Sequence, residues 1–169
     1  LLGHEIYFKA ECFQKIGAFK IRGGINSVAW LIENGNKPRH IIANSSGNHA
    51  QAVALASKTF NIPSTIYMPK NVSKVKSQAT IGYGSKVVFC EDRTIADQKV
   101  LEASKEEGVY WIPPFNHEQV ICGQGTAAYE AITELTDIDA VIAPCGGGGL
   151  LSGTYIATKG LTPKTKVIG

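Results

Sequence analysis

The feature that most limits what this chain can fold into is the regular alternation of short β-rich runs with helical patterns along its whole length. The runs "EIYFKA", "HIIAN", "STIYMP", "KVVFC", "VYWI", "AVIAPC" and "KVIG" stand between helical segments 18–34, 47–60, 73–83, 94–107, 123–135 and 150–159. A repeated strand–helix order predicts an α/β fold with a parallel sheet and helices on its faces. Some boundaries carry their own punctuation. In "TIADQKVLEASKEEG" Thr94 is expected to cap a helix, Asp97 to sit in its first turn, and Gly108 to supply the left-handed stop.

In open α/β sheets, ligands bind beyond the carboxyl ends of the strands, where loops lead into helices. Three such loops stand out here. The first is "PCGGGGLLSG", in which Gly146, Gly147, Gly148 and Gly149 follow an apolar run and Leu150 opens a helix. Without side chains, successive N–H groups can converge on an anion at the positive end of the helix that follows, and a phosphate group is the natural guest. A tight turn that lets a helix pack closely on the sheet is the alternative. The loop lacks the Lys of a P-loop and the first-turn spacing of a dinucleotide fingerprint.

The second loop, "NSSGNHAQ", gathers Ser45, Ser46, Asn48 and His49 around Gly47 at a helix N-terminus, where a carboxylate could be held by unpaired N–H groups. Simple N-capping accounts for one polar residue there rather than four. The third is "KIGAFKIRGG". Lys20 lies near the start of its helix, where the dipole and local desolvation disfavour the ammonium form, so that it could serve as a nucleophile toward an aldehyde. Taken alone it reads as an ordinary surface lysine, and its weight comes from the two loops beside it.

In the order "GAFKIRGG", "SSGNHAQ", "IPPFNH", "GQGT" and "CGGGGL", the chain resembles the fold type II pyridoxal-phosphate enzymes, specifically the threonine/serine dehydratase and serine racemase group, over essentially its whole length. The resemblance implies a three-layer parallel-sheet architecture. Residues 40–117 would form the smaller, mobile α/β domain, and 1–39 with 118–169 part of the larger one. Pyridoxal 5'-phosphate would be the cofactor, with Lys20 its Schiff-base lysine, Phe19 beside the ring and Asn48 facing the ring hydroxyl. Gly146, Gly147, Gly148, Gly149 and Leu150 would hold its phosphate, and Ser45, Ser46, Gly47, Asn48 and His49 the substrate carboxylate. Ser46 occupies the place where racemases carry a serine opposite the lysine, whereas "WIPPFNH" and "GQGT" look more like threonine dehydratases. The reading that follows is deamination of L-threonine or L-serine to a 2-oxo acid and ammonia. Serine racemisation is the alternative, and a non-catalytic fragment that retains a phosphate loop is the alternative of another class.

Composition bears on partners and compartment. A net charge of +3 without a basic run leaves nucleic-acid binding unsupported. No apolar run approaches a membrane span, and no signal-peptide pattern opens the chain. Cys12, Cys90, Cys122 and Cys145 are dispersed without a paired motif, which suits reduced thiols and a cytoplasmic chain. The absence of Met at the start and the stop inside an apparent strand lead us to expect a piece of a longer, oligomeric protein whose site lacks its partner for the pyridine nitrogen.

Overall fold

The computed structural model describes residues 3–169. Strands β1 (His40–Asn44), β2 (Ser64–Pro69), β3 (Lys86–Cys90) and β4 (Val109–Trp111) form one parallel sheet in the order β3-β2-β1-β4. Strands β5 (Ala140–Ile142) and β6 (Lys166–Ile168) pair in parallel as a second sheet. The helices are α1 (Lys20–Glu33), α2 (Asn48–Thr59), α3 (Lys74–Gly82), α4 (Arg93–Ala103), α5 (Glu118–Glu134) and α6 (Gly149–Leu161). No helix among the described residues is long and apolar enough to cross a membrane.

The strand order explains the layers. From β1 to β3 the chain moves one way across the sheet, and from β3 to β4 it returns past two strands. Right-handed crossovers therefore put α2 and α3 on one face and α4 on the other. The packing agrees, since α2 lies against α3 while α4 lies against β1, β2 and β3. Strands covered on both faces read as continuous apolar runs rather than alternating ones, as "HIIAN" and "STIYMP" do. Ile41, Ala43, Ile66 and Met68 from these strands meet Ala50, Val53 and Ala56 of α2 and Val28 of α1 in the main core. Each large member contributes about 1.5–3 kcal/mol by burial.

Glycine sets the spacing of the helices outside this core. The motif "GQGT" lies inside α5, where a Cβ on Gly123 would meet the Arg22 carbonyl and Gly23 Cα, and a Cβ on Gly125 would meet the Gly153 carbonyl at 2.7 Å. Helix α5 is thereby clasped between α1 and α6 at backbone contact. Between the two glycines, Gln124 is almost fully buried and its Oε1 accepts from Gly23 N at 3.1 Å. The side chain thus receives an N–H from the first turn of α1 and ties α5 to the start of that helix.

Several expectations need correction. "EIYFKA" forms no strand, and Tyr7 and Phe8 are exposed. Ion pairs bind this segment to helices instead of to a sheet edge: Lys9 reaches Glu130 at 2.8 Å, and Glu11 reaches Arg22 at 2.8 Å. Helix α4 is capped by Asp92, whose carboxylate accepts from Ile95 N at 2.9 Å, and not by Thr94. Gly108 has the expected positive φ of 73°, but it turns the chain into β4 after α4 has already ended at Ala103. Helix α5 begins at Glu118 rather than Gly123, because its glycines are packing positions and not a boundary.

Candidate active site

Strands β1 and β4 are neighbours, so the loops leaving their carboxyl ends leave side by side. From β1 comes 44–49. Asn44 is held at both ends of its amide, donating to Asp97 Oδ1 at 2.5 Å and accepting from Trp111 Nε1 at 3.1 Å. Beyond it, Gly47 N donates to Ser45 Oγ at 3.3 Å, and Gln51 N to Gly47 O at 3.4 Å is the first helical bond of α2. The N–H groups of Asn48, His49 and Ala50 lie ahead of that bond, at the positive end of the helix. Ser46 is half-buried and Asn48 is exposed.

His49 differs from its neighbours. It is 4% exposed, and its Nε2 lies 2.8 Å from the Ile112 carbonyl oxygen, so Nε2 is the protonated nitrogen. Its Nδ1 is buried without a partner among the described residues. Burial pushes the imidazole down to about 4, with the Ile112 bond opposing and the positive charge of Lys20 reinforcing the shift. At neutral pH the ring is uncharged.

Lys20 is the first residue of α1, with Phe19 as its N-cap. The amine donates to the Pro114 carbonyl oxygen at 2.5 Å and stands 5.3 Å from the Phe19 ring centroid. Burial lowers its pKa from the ordinary lysine value. Two residues on, Arg22 forms paired hydrogen bonds with Glu11 and with Glu130, all between 2.7 and 2.8 Å. The guanidinium and Lys9 hold the Glu130 carboxyl down at about 2. This network fixes the start of the helix that carries Lys20.

The four-glycine turn follows β5. Gly146 and Gly148 face open space, and Gly148 has φ 86°, a conformation that an L side chain would strain. Ser152 N to Gly148 O at 2.8 Å is the first helical bond of α6, which leaves the N–H groups of Gly149, Leu150 and Leu151 ahead of it. Gly147 lies directly against the Phe115 ring, and a Cβ on Gly149 would lie 3.0 Å from the Phe115 carbonyl oxygen.

The segment Ile112–Phe115 therefore touches all three loops: Ile112 meets His49, Pro114 meets Lys20, and Phe115 meets the glycine turn. Sequence reasoning quoted "IPPFNH" only as part of a resemblance and assigned it no contact. Two successive prolines directly after a strand, at the ligand-binding end of a sheet, were the available signal. Gln124 was missed in the same way.

A cofactor with a phosphate and an aldehyde fits these residues. The glycine turn offers unobstructed N–H groups at a helix N-terminus, and one strap brings it close to an amine of lowered basicity.

A family model described as pyridoxal-phosphate dependent enzyme matches residues 1–169. The chain is 45% identical over 172 residues to L-threo-3-hydroxyaspartate ammonia-lyase of Saccharomyces cerevisiae, covering 99% of this chain and 52% of that one. It is 44% identical to L-threonine ammonia-lyase of Thermotoga maritima, covering 99% of this chain and 42% of that one. Among solved structures, serine racemase from Dictyostelium discoideum superposes with a TM-score of 0.90 at 40% identity, over 98% of this chain and 54% of that one. The chain spans about half the length of the curated relatives it matches. Glycine turn, lysine and polar helix end thus occur in a chain that matches the family along every residue, and the chain belongs to the pyridoxal-phosphate dependent enzymes.

Proposed function

We propose that the protein containing this chain deaminates L-threonine or L-serine to a 2-oxo acid and ammonia. The observation that carries the reading is the strap contact that joins Lys20, through Pro114, to the glycine turn, through Phe115. In this reading residues 40–117 are the smaller domain, 1–39 and 118–169 belong to the larger one, and the full-length protein is a cytoplasmic oligomer. The glycine turn and the first turn of α6 would hold the cofactor phosphate, and Asn48 and Phe19 would serve its ring. The free N–H groups at the start of α2, with Ser45 and Ser46, hold the substrate carboxylate.

Pyridoxal phosphate, when bound, supplies the conjugated ring that accepts the electron pair left when the Cα–H bond breaks. Lys20 takes that proton. Its half-buried position leaves a larger unprotonated fraction at neutral pH than a solvated lysine has, and Pro114 fixes its direction. Loss of the β-hydroxyl as water, followed by hydrolysis, gives the 2-oxo acid and ammonia. His49, uncharged at neutral pH, adds no positive charge beside the carboxylate site and leaves binding to the backbone dipoles.

The second reading, racemisation of serine, is favoured by one residue. Ser46 stands half-buried on the loop after β1, and in this reading its hydroxyl returns a proton from the face opposite Lys20. The similarity to both an ammonia-lyase and a serine racemase supports keeping both reactions. The test is a paired assay of 2-oxo acid and D-serine formation from L-serine in the full-length protein and in Ser46→Ala. A proton donor at Ser46 predicts that racemisation falls by about 10²–10⁴ while elimination changes far less. Equal loss of both would assign Ser46 to binding or capping. No 2-oxo acid from either L-threonine or L-serine would refute the main reading.

A further inference from the structure

We propose that Ile112–Phe115 is a single positioning strap for the three site loops and that His49 is the residue that sets it. The inference rests on the reading of these loops as one site. It concerns how they are held together, and it assigns His49 a task apart from touching substrate.

The chemistry of the strap suits that task. Pro113 and Pro114 lock φ near −65° and carry no N–H, so the segment is stiff and presents carbonyl oxygens without donors to satisfy. Its start is fixed to the sheet, where Ile112 N donates to Ile42 O at 3.0 Å. Its far end is fixed where His117 N donates to Phe115 O at 3.1 Å and Tyr110 Oη lies 2.7 Å from His117 Nε2. Between these points the Ile112 carbonyl receives the Nε2–H of His49, and two residues later the Pro114 carbonyl receives the Lys20 amine. Phe115, 37% exposed, then lies on Gly147.

His49 is suited to act as the anchor. A fully buried neutral imidazole with Nε2 engaged has one ring orientation that satisfies its donor. A rigid peptide of four residues passes a displacement at one end to the other, because its backbone has few soft dihedrals left. Losing the His49 bond leaves the Ile112 carbonyl unpaired and loosens the strap between its two fixed ends. Water then reaches the Lys20 amine, and Phe115 holds the glycine turn for a smaller fraction of the time.

The test uses cofactor-free protein and two readouts that do not depend on turnover. One is the pH midpoint of Lys20 acylation by trace acetic anhydride, located by peptide mapping. The other is the affinity of inorganic phosphate for the glycine turn. His49→Phe keeps the ring volume and removes the donor. We expect its Lys20 midpoint to rise toward that of a solvated lysine, and its phosphate affinity to weaken about fivefold, the worth of one neutral hydrogen bond. His49→Gln, whose amide can donate to Ile112, should restore both. Among the described residues His49 makes no hydrogen bond to Lys20 or to the glycine turn, and its ring is uncharged where Lys20 titrates, so a merely local packing role moves neither readout. Values for His49→Phe within about twofold of wild type, or failure of the glutamine variant to rescue, would overturn the proposal. Phe115→Ala, at a partly exposed position, releases the strap from its other end. It should raise the Lys20 midpoint while ¹H–¹⁵N spectra still report protonated Nε2 on His49, and an unchanged midpoint would overturn the proposal even if His49→Phe failed to fold. Failure of Lys20 to bind pyridoxal phosphate would sink the functional reading yet leave both readouts intact.

Discussion

Replacing Gly123 by Ala should damage both the fold and the site through one contact. The added Cβ would lie 2.5 Å from the Arg22 carbonyl oxygen, 2.6 Å from Gly23 Cα and 2.8 Å from the Arg22 carbonyl carbon. Carbon contacts are comfortable at about 3.5–4.0 Å, and all three neighbours are backbone, so α1 and α5 must separate by about 1 Å. Overpacking of this kind costs about 1–3 kcal/mol. Separation also stretches the 3.1 Å bond from Gly23 N to Gln124, leaving buried groups unpaired at about 1–3 kcal/mol more. The better helix propensity of Ala returns about 1 kcal/mol. The net loss is about 1–5 kcal/mol, a fall of about 2–20 °C in Tm for a chain of this size. Lys20 begins α1 three residues before Gly23, and a misplacement of about 1 Å at a reacting group can cost about 10² in rate, here the rate of adduct formation with pyridoxal phosphate. The control is Gly160→Ala, where a Cβ meets nothing within 4 Å and the change should be neutral or stabilising. Calorimetric melting and stopped-flow absorbance would measure the two effects. A Gly123→Ala protein melting at or above wild type would refute the reasoning.

Two further outcomes follow from the charges. His49 has its pKa lowered to about 4 against 6.5 when unfolded, so the unfolded chain binds the extra proton. Stability on this account is complete above pH 6.5 and is lost as pH falls toward 4, by about 3 kcal/mol in total; His49→Phe should abolish that part of a urea-midpoint profile, and an unchanged profile would count against the buried neutral ring. Arg22→Met leaves the Glu11 and Glu130 carboxylates without their shared cation, and breaking such a pair costs about 3–5 kcal/mol when buried. Glu130 is 43% exposed, so about 2–3 kcal/mol is expected. Because its carboxyl is held at about 2, the wild-type advantage should be present above pH 4.5 and disappear as pH falls toward 2; equal stability of the two proteins at pH 7 would contradict the assignment.

What the sequence disclosed follows from the range of the interactions concerned. Strands β1 and β2 could be read with their observed bounds because their apolar runs reflect burial on both faces, a local imprint of the sheet, and the edge strand β3 through the β-branched and aromatic residues of "KVVFC". The glycine turn and the polar helix start were legible for a similar reason, since each packs its chemistry into a few consecutive residues. "EIYFKA" misled because β propensity describes what a segment tolerates, whereas its place is decided by Lys9 and Glu11 finding partners more than ten residues away. Gly123 looked like a boundary because a glycine required for helix contact has the same letter as one required for a turn. The prolines marked the strap but not its partners, for a deeper reason: two of its three contacts are made by the carbonyls of Ile112 and Pro114, and backbone atoms leave no mark on residue identity.

The central claim is that Lys20 is the amine toward which the site is built, and the most direct measurement is to find where pyridoxal phosphate attaches. Protein mixed with the cofactor, reduced with borohydride and digested should yield one major labelled peptide, modified at Lys20. Lys20→Ala should lose the label while keeping most of its phosphate affinity, because the glycine turn supplies its own N–H groups to the phosphate. A label on Lys9, Lys15 or any other lysine, with Lys20 unmodified, would contradict the account.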